Sequence, residues 1–147
     1  MIAEQLAHKF WLALDKARGK EICASVESAT LKAKVRNHDA FSCLLESLSL
    51  QWETEDEWEK LLEVCERGLK TLHKDFAIIE RDDLNQMALF RSPLTRNFYW
   101  EAQLKREDFA ILSINRYQVK VEGKRNLEPF VLTEEQLAEF IAGIMAG

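Results

Sequence analysis

The stretch Phe98-Tyr-Trp-Glu-Ala-Gln-Leu104 alternates without a break: Phe98, Trp100, Ala102 and Leu104 fall on one side, and Tyr99, Glu101 and Gln103 on the other. Successive side chains of a β-strand point to opposite faces, so this is the pattern of a strand with one buried face. Upstream, Phe76–Arg81 and Met87–Arg91 flank Asp82-Asp-Leu-Asn-Gln86 and predict a hairpin. Downstream, Lys105-Arg-Glu-Asp108 turns the chain into Phe109–Glu122, a run too long for one simple strand. Its apolar parity switches between Leu112/Ile114 and Tyr117/Val119/Val121, which predicts a bulge or break near Asn115-Arg116. Gly123-Lys-Arg-Asn126 reads as a further turn. Leu127–Leu132 reads as an extended edge segment, because Pro129 cannot donate to a ladder.

Residues 1–75 carry the 3.6-residue period instead. Ile2, Leu6, Phe10, Ala13 and Ala17, widened by Trp11 and Leu14, predict a helix closed by Arg18-Gly19. Ile22, Val26, Ala29 and Ala33 also fall at helical spacing. Leu31-Lys-Ala-Lys-Val35 alternates like a strand, but the helix-forming Ala and Lys, with no Gly or Pro, favour a helix over residues 20–36. Asp39 is placed to cap another helix over residues 40–50, with Phe41, Leu44, Leu45 and Leu48 inward.

Thr54-Glu-Asp-Glu57 has the form of a capping box, and Trp58, Leu61, Leu62, Cys65, Leu69 and Leu72 then mark an amphipathic helix of about five turns. Thr133-Glu-Glu-Gln136 is a second box, with Leu132 and Leu137 as its hydrophobic staple and Leu137, Phe140, Ile141 and Ile144 facing inward. The expectation is one α+β domain over residues 1–147. Its parts are N-terminal helices (1–75), a four- to five-stranded antiparallel meander (76–132) and a C-terminal helix (133–147), with helices covering one sheet face.

Composition narrows the function classes. With 47% apolar and 31% charged residues the chain is globular, and no apolar run reaches the roughly 18 residues of a membrane-spanning helix. Glu4, His8 and Lys9 interrupt the N-terminal apolar residues, so no signal-peptide core is read there. The five glycines, Gly19, Gly68, Gly123, Gly143 and Gly147, form neither a dinucleotide-binding fingerprint nor a phosphate loop. Cys23, Cys43 and Cys65 are odd in number and widely spaced, which fits no disulfide framework or zinc knuckle and points to a reducing cytoplasm. No two of His8, His38 and His73 share a helix face at i, i+4, and His38 and Cys43, five apart, do not face each other well enough for a thiolate pair. His38-Asp39 reads as a helix-start turn, and His73 with Asp75 as a helix end. The acids from Glu53 to Glu59 read as a solvated first turn. The sequence implies no catalytic group, metal or cofactor.

Charge is segregated along the chain. Residues 51–90 hold five basic and eleven acidic groups, residues 91–125 eight and four, and residues 126–147 none and four. The basic segment contains Arg91, Arg96, Tyr99, Arg116 and Lys120, which as a shared outer sheet face would offer guanidinium forks beside an aromatic ring. Trp11 and Trp52 are candidate interface anchors. The leading expectation is a non-catalytic cytoplasmic interaction module (adaptor, chaperone or regulator) that binds a protein partner or itself. On this reading, Arg91→Glu and Arg96→Glu weaken capture and leave thermal stability unchanged. A small-ligand domain or enzyme with a pocket between sheet and helices, using Tyr99, Arg116, Tyr117 and Glu101, is the second class. A single-stranded nucleic-acid binder is the third, opposed by the net charge of −5.

Overall fold

The computed structural model of the protein describes residues 2–16 and 21–145. Ala17 and the Arg18-Gly19 helix end lie outside the described residues. The elements in chain order are α1 (Ile2–Ala13), β1 (Glu21–Val26), β2 (Ala29–His38), β3 (Cys43–Trp52), α2 (Trp58–Leu69), β4 (Ala77–Asp82), β5 (Met87–Arg91), β6 (Phe98–Arg106), β7 (Ala110–Val119), β8 (Arg125–Leu127), β9 (Phe130–Leu132) and α3 (Glu134–Met145). The class is α+β with an antiparallel sheet, but the sheet has nine strands among the described residues, in the order β1-β2-β3-β7-β6-β5-β4 with β8 and β9 joined to β7 and β3. None of the described helices is long and apolar enough to cross a membrane.

The two helices expected over residues 20–36 and 40–50 are strands. In β1 and β2 the inward residues are Ile22 and Ala24, then Ala29, Leu31, Ala33 and Val35. The two-residue turn Glu27-Ser28 changes the inward parity from even to odd, and joining two strands this way produces the spacings of three and four that imitate a helix. Glu27 takes a positive φ of 52° without the glycine that would have signalled the turn. A second parity change lies in β3. Val35 pairs with Leu45 and Lys34 with Ser47, so Glu46 is the extra residue of a bulge and the inward set passes from Cys43 and Leu45 to Leu48, Leu50 and Trp52. Asp39 caps no helix: its Oδ1 accepts the N–H groups of Phe41 and Ser42 at 2.8 Å in the β2–β3 turn.

The C-terminal half follows the expected strands with two corrections. The β6–β7 register runs without a shift from Phe98↔Gln118 to Arg106↔Ala110, so there is no break at Asn115-Arg116. Tyr117 and Val119 are apolar residues on the uncovered face, while Arg116 continues the inner line of Leu112 and Ile114. The Leu127–Leu132 segment is extended, but it is two short strands and not one. β8 pairs with β7 and β9 with β3, each along one side only among the described residues, in the fork where β3 and β7 diverge, and Pro129 lies between them.

Helices cover one sheet face, with α1 against α3 and α3 against α2. The α2–α3 approach is close: a Cβ on Gly143 would lie 2.8 Å from the Gly68 Cα. Thr133 and Gln136 make the predicted reciprocal cap of α3, at 2.9 and 3.1 Å. Thr54 does not cap α2. Its hydroxyl accepts the Asp56 N–H, and α2 begins at Trp58 behind Glu57, which gives no side-chain cap. The core fills the space between sheet and helices with Phe10, Phe76, Phe90 and Phe140, each fully buried and worth about 2–3 kcal/mol in water removed from its ring.

Candidate functional site

The strand alternation of β6 and β7 divides the predicted site residues between the two faces of the sheet. Tyr99 and Tyr117 are register partners on the uncovered face, their rings stacked with centroids 5.5 Å apart. Arg91, opposite Glu101 on β5, lies over Tyr99 at 5.1 Å, and Arg125 of β8 lies over Tyr117 at 3.9 Å. The result is a four-layer ladder, guanidinium–ring–ring–guanidinium.

Glu101 joins its two ends. Its Oε1 accepts from Arg91 Nη2 at 2.7 Å and from Arg125 Nη1 at 3.2 Å, and Arg125 also donates to the Tyr99 hydroxyl at 2.8 Å. Although no helix covers this face, the Glu101 side chain is only 8% exposed. A buried carboxylate is tolerated because two guanidiniums replace its water. The Tyr99 hydroxyl, then the Glu101 charge, holds the Arg125 guanidinium still more firmly protonated. Arg91 and Arg125 are thus matched internally, and Arg125, which sequence reasoning missed, takes the place expected of Arg116. Its signal was available, since three-residue strands after a turn place residues 125 and 127 beside Tyr117 and Val119, but the fork that receives β8 is a long-range event.

Beside the ladder the uncovered face carries a shallow trough of about 250 Å³, floored by Ser47, Ser49 and Ser113 and bounded by Lys32, Lys34 and Asn115. Asn115 is the register partner of Glu101, so trough and ladder are continuous.

Arg116 and Arg96 lie elsewhere. Arg116 shares the helix-covered face with Phe98 and Trp100, its guanidinium 4.5 Å and 6.0 Å from their ring centres. It lines an open cavity of about 360 Å³, no more enclosed than the trough, with Arg96 and with His73, which follows α2. Arg96 and Asn97 form the two-residue tip of the β5–β6 connection, both at positive φ (51° and 71°), and Thr95 and Phe98 exchange backbone hydrogen bonds at 2.9 Å across it. Neither Arg96 nor Arg116 has a carboxylate partner among the described residues. Lys120 is exposed in the turn before β8. The five predicted residues therefore do not form one outer face. Trp52 is 3% exposed and belongs to the core, so it presents no ring for docking, whereas Trp11 is half-buried against the core.

No group of three or more His, Cys, Asp or Glu among the described residues is arranged to hold a metal ion. Cys43 and Cys65 are buried; burial pushes the Cys43 thiol up to about 12 and raises that of Cys65 as well, which leaves both as unreactive thiols. Comparisons with protein-family models, curated proteins and solved structures give no match to this chain.

Proposed function

We propose that the chain is a non-catalytic cytoplasmic protein-interaction module, an adaptor, chaperone or regulator, that docks a partner protein across the uncovered face of its sheet. The observation that carries this reading is the Arg91–Tyr99–Tyr117–Arg125 ladder. Arginine and tyrosine are the residue types that dominate interface energetics, and here they are stacked in place before any partner arrives. Such pre-ordering avoids about 0.5–1.5 kcal/mol of entropy per side chain that docking would otherwise immobilise. The adjoining serine trough gives a partner's side chains room and hydroxyl donors next to the aromatic platform. Free cysteines are in keeping with a reducing compartment.

The test is retention of a partner isolated at native abundance, with the intact complex weighed. Tyr117→Ala is expected to lower retention about tenfold, while Arg96→Gln, off this face, leaves it unchanged. Retention undiminished from that of the unaltered protein in both Tyr99→Ala and Tyr117→Ala rejects the face as the docking surface.

Self-association is a second reading, favoured by the opposed charges of residues 51–90 and 91–125. An assembly that dissociates as salt rises supports it, and a monomer at every salt concentration rejects it.

A further inference from the structure

We propose that the cavity lined by Arg96, Arg116, Phe98 and Trp100 binds a small aromatic carboxylate. Its polar lining consists of donors. The Arg116 guanidinium carbon lies over the Phe98 ring, 4.5 Å from its centre, and a planar guanidinium so placed can offer a carboxylate two parallel N–H bonds. Arg96 adds a second guanidinium from the hairpin tip. His73 accepts the Asp75 backbone N–H at its Nδ1, at 3.1 Å, which puts the proton of the neutral ring on Nε2 as a donor. Ser92 accepts the Trp100 N–H at 2.8 Å and keeps its own hydroxyl proton to give. No Asp or Glu lines the space.

The molecule contains its own template for the ligand. On the other face, two arginines, each lying over an aromatic ring, hold one carboxylate, that of Glu101. The cavity has the same inventory, two arginines and two rings, with the carboxylate missing. The rings of Phe98 and Trp100 supply flat apolar walls, and about 360 Å³ is at the low end for ligand sites, room for a one-ring molecule. The carboxylate would sit against Arg116 and Arg96, and the ring along Trp100.

Benzoate, benzyl alcohol and phenyl phosphate, titrated into the full chain at constant ionic strength, test this through the NMR signals of the Trp100 indole and the Arg116 Nε–H. Benzoate is expected to saturate both signals and to bind about tenfold more tightly than benzyl alcohol, its neutral counterpart. Arg116→Gln should abolish saturation, and Arg116→Lys should weaken it less, because a point charge survives without the fork. Arg96→Gln, at an exposed tip, provides a second variant and should weaken benzoate binding with the thermal midpoint unchanged. The proposal is overturned by benzoate that does not saturate, by benzyl alcohol binding equally well, by phenyl phosphate binding where benzoate does not, or by unchanged affinity in both the Arg116→Gln and Arg96→Gln proteins.

Discussion

Two clusters of arginine and aromatic side chains sit on opposite faces of β6 and β7, and they differ in one group. On the uncovered face Arg91 and Arg125 close on Glu101; on the helix side Arg96 and Arg116 close on no carboxylate among the described residues. Glu101 is what makes the first cluster part of the fold, because a carboxylate 8% exposed can be left there only if its guanidinium partners stay. The second cluster lacks such an obligation. Its arginines face a cavity, and removing either leaves no buried charge unpaired. Two arginines five residues apart in the sequence, Arg91 and Arg96, therefore have different duties.

The largest expected effect separates these two residues. Arg91→Glu places a second carboxylate beside Glu101 and removes a 2.7 Å ion pair, and should lower stability by about 3 kcal/mol. For a chain of this size that is a fall of about 9 °C in thermal midpoint. Arg96→Glu should leave the midpoint unchanged. This replaces the sequence-based expectation that both charge reversals are thermally silent. Equal midpoints for the two variants, measured by calorimetry, would mean that Glu101 is not dependent on Arg91.

Glu101→Gln should cost less, about 2 kcal/mol, because the arginines it abandons are 39% and 45% exposed and regain water. Combining it with Arg91→Gln tests whether the two changes are coupled. A coupling energy of about 1 kcal/mol is expected for groups in direct contact, and strict additivity would show that the ladder is held by ring stacking alone.

The difference between the clusters also marks the limit of what could be read in the sequence. The alternation of Phe98–Leu104 places Tyr99 and Glu101 opposite Phe98 and Trp100, and that division survives unchanged. Arg116 was misplaced because the apolar character of Tyr117 and Val119 imitates a change of parity, when in fact β7 is regular and those two residues pack on the uncovered side with Arg125 above Tyr117. The cavity needed His73 and Arg96 brought together from either side of the β4–β5 hairpin, and no local pattern encodes that. In the N-terminal half the failure is different in kind. Val26 and Ala29 close a hairpin, yet their spacing of three, joined to Ile22 and Ala33 at spacings of four, is helical. Ala and Lys at propensities that favour helix complete the imitation, and the pairing of β1 with β2 and β2 with β3 overrides them.

The smallest expected effect asks which force orders the ladder. Tyr99 and Tyr117 are equivalent in stacking, but only the Tyr99 hydroxyl accepts from Arg125, at 2.8 Å. Tyr99→Phe keeps the ring and removes that acceptor, so it should cost about 1 kcal/mol, while Tyr117→Phe should cost nothing measurable. Both keep the arginine–ring contacts, so a difference between them in chemical denaturation isolates the hydrogen bond. If instead both are silent, Arg125 is positioned by Glu101 and by its place over Tyr117, and the ladder is ordered from its buried carboxylate outward. If Tyr117→Phe is the costlier, the stack is arranged around Tyr117, and the assignment of Glu101 as its organising centre fails.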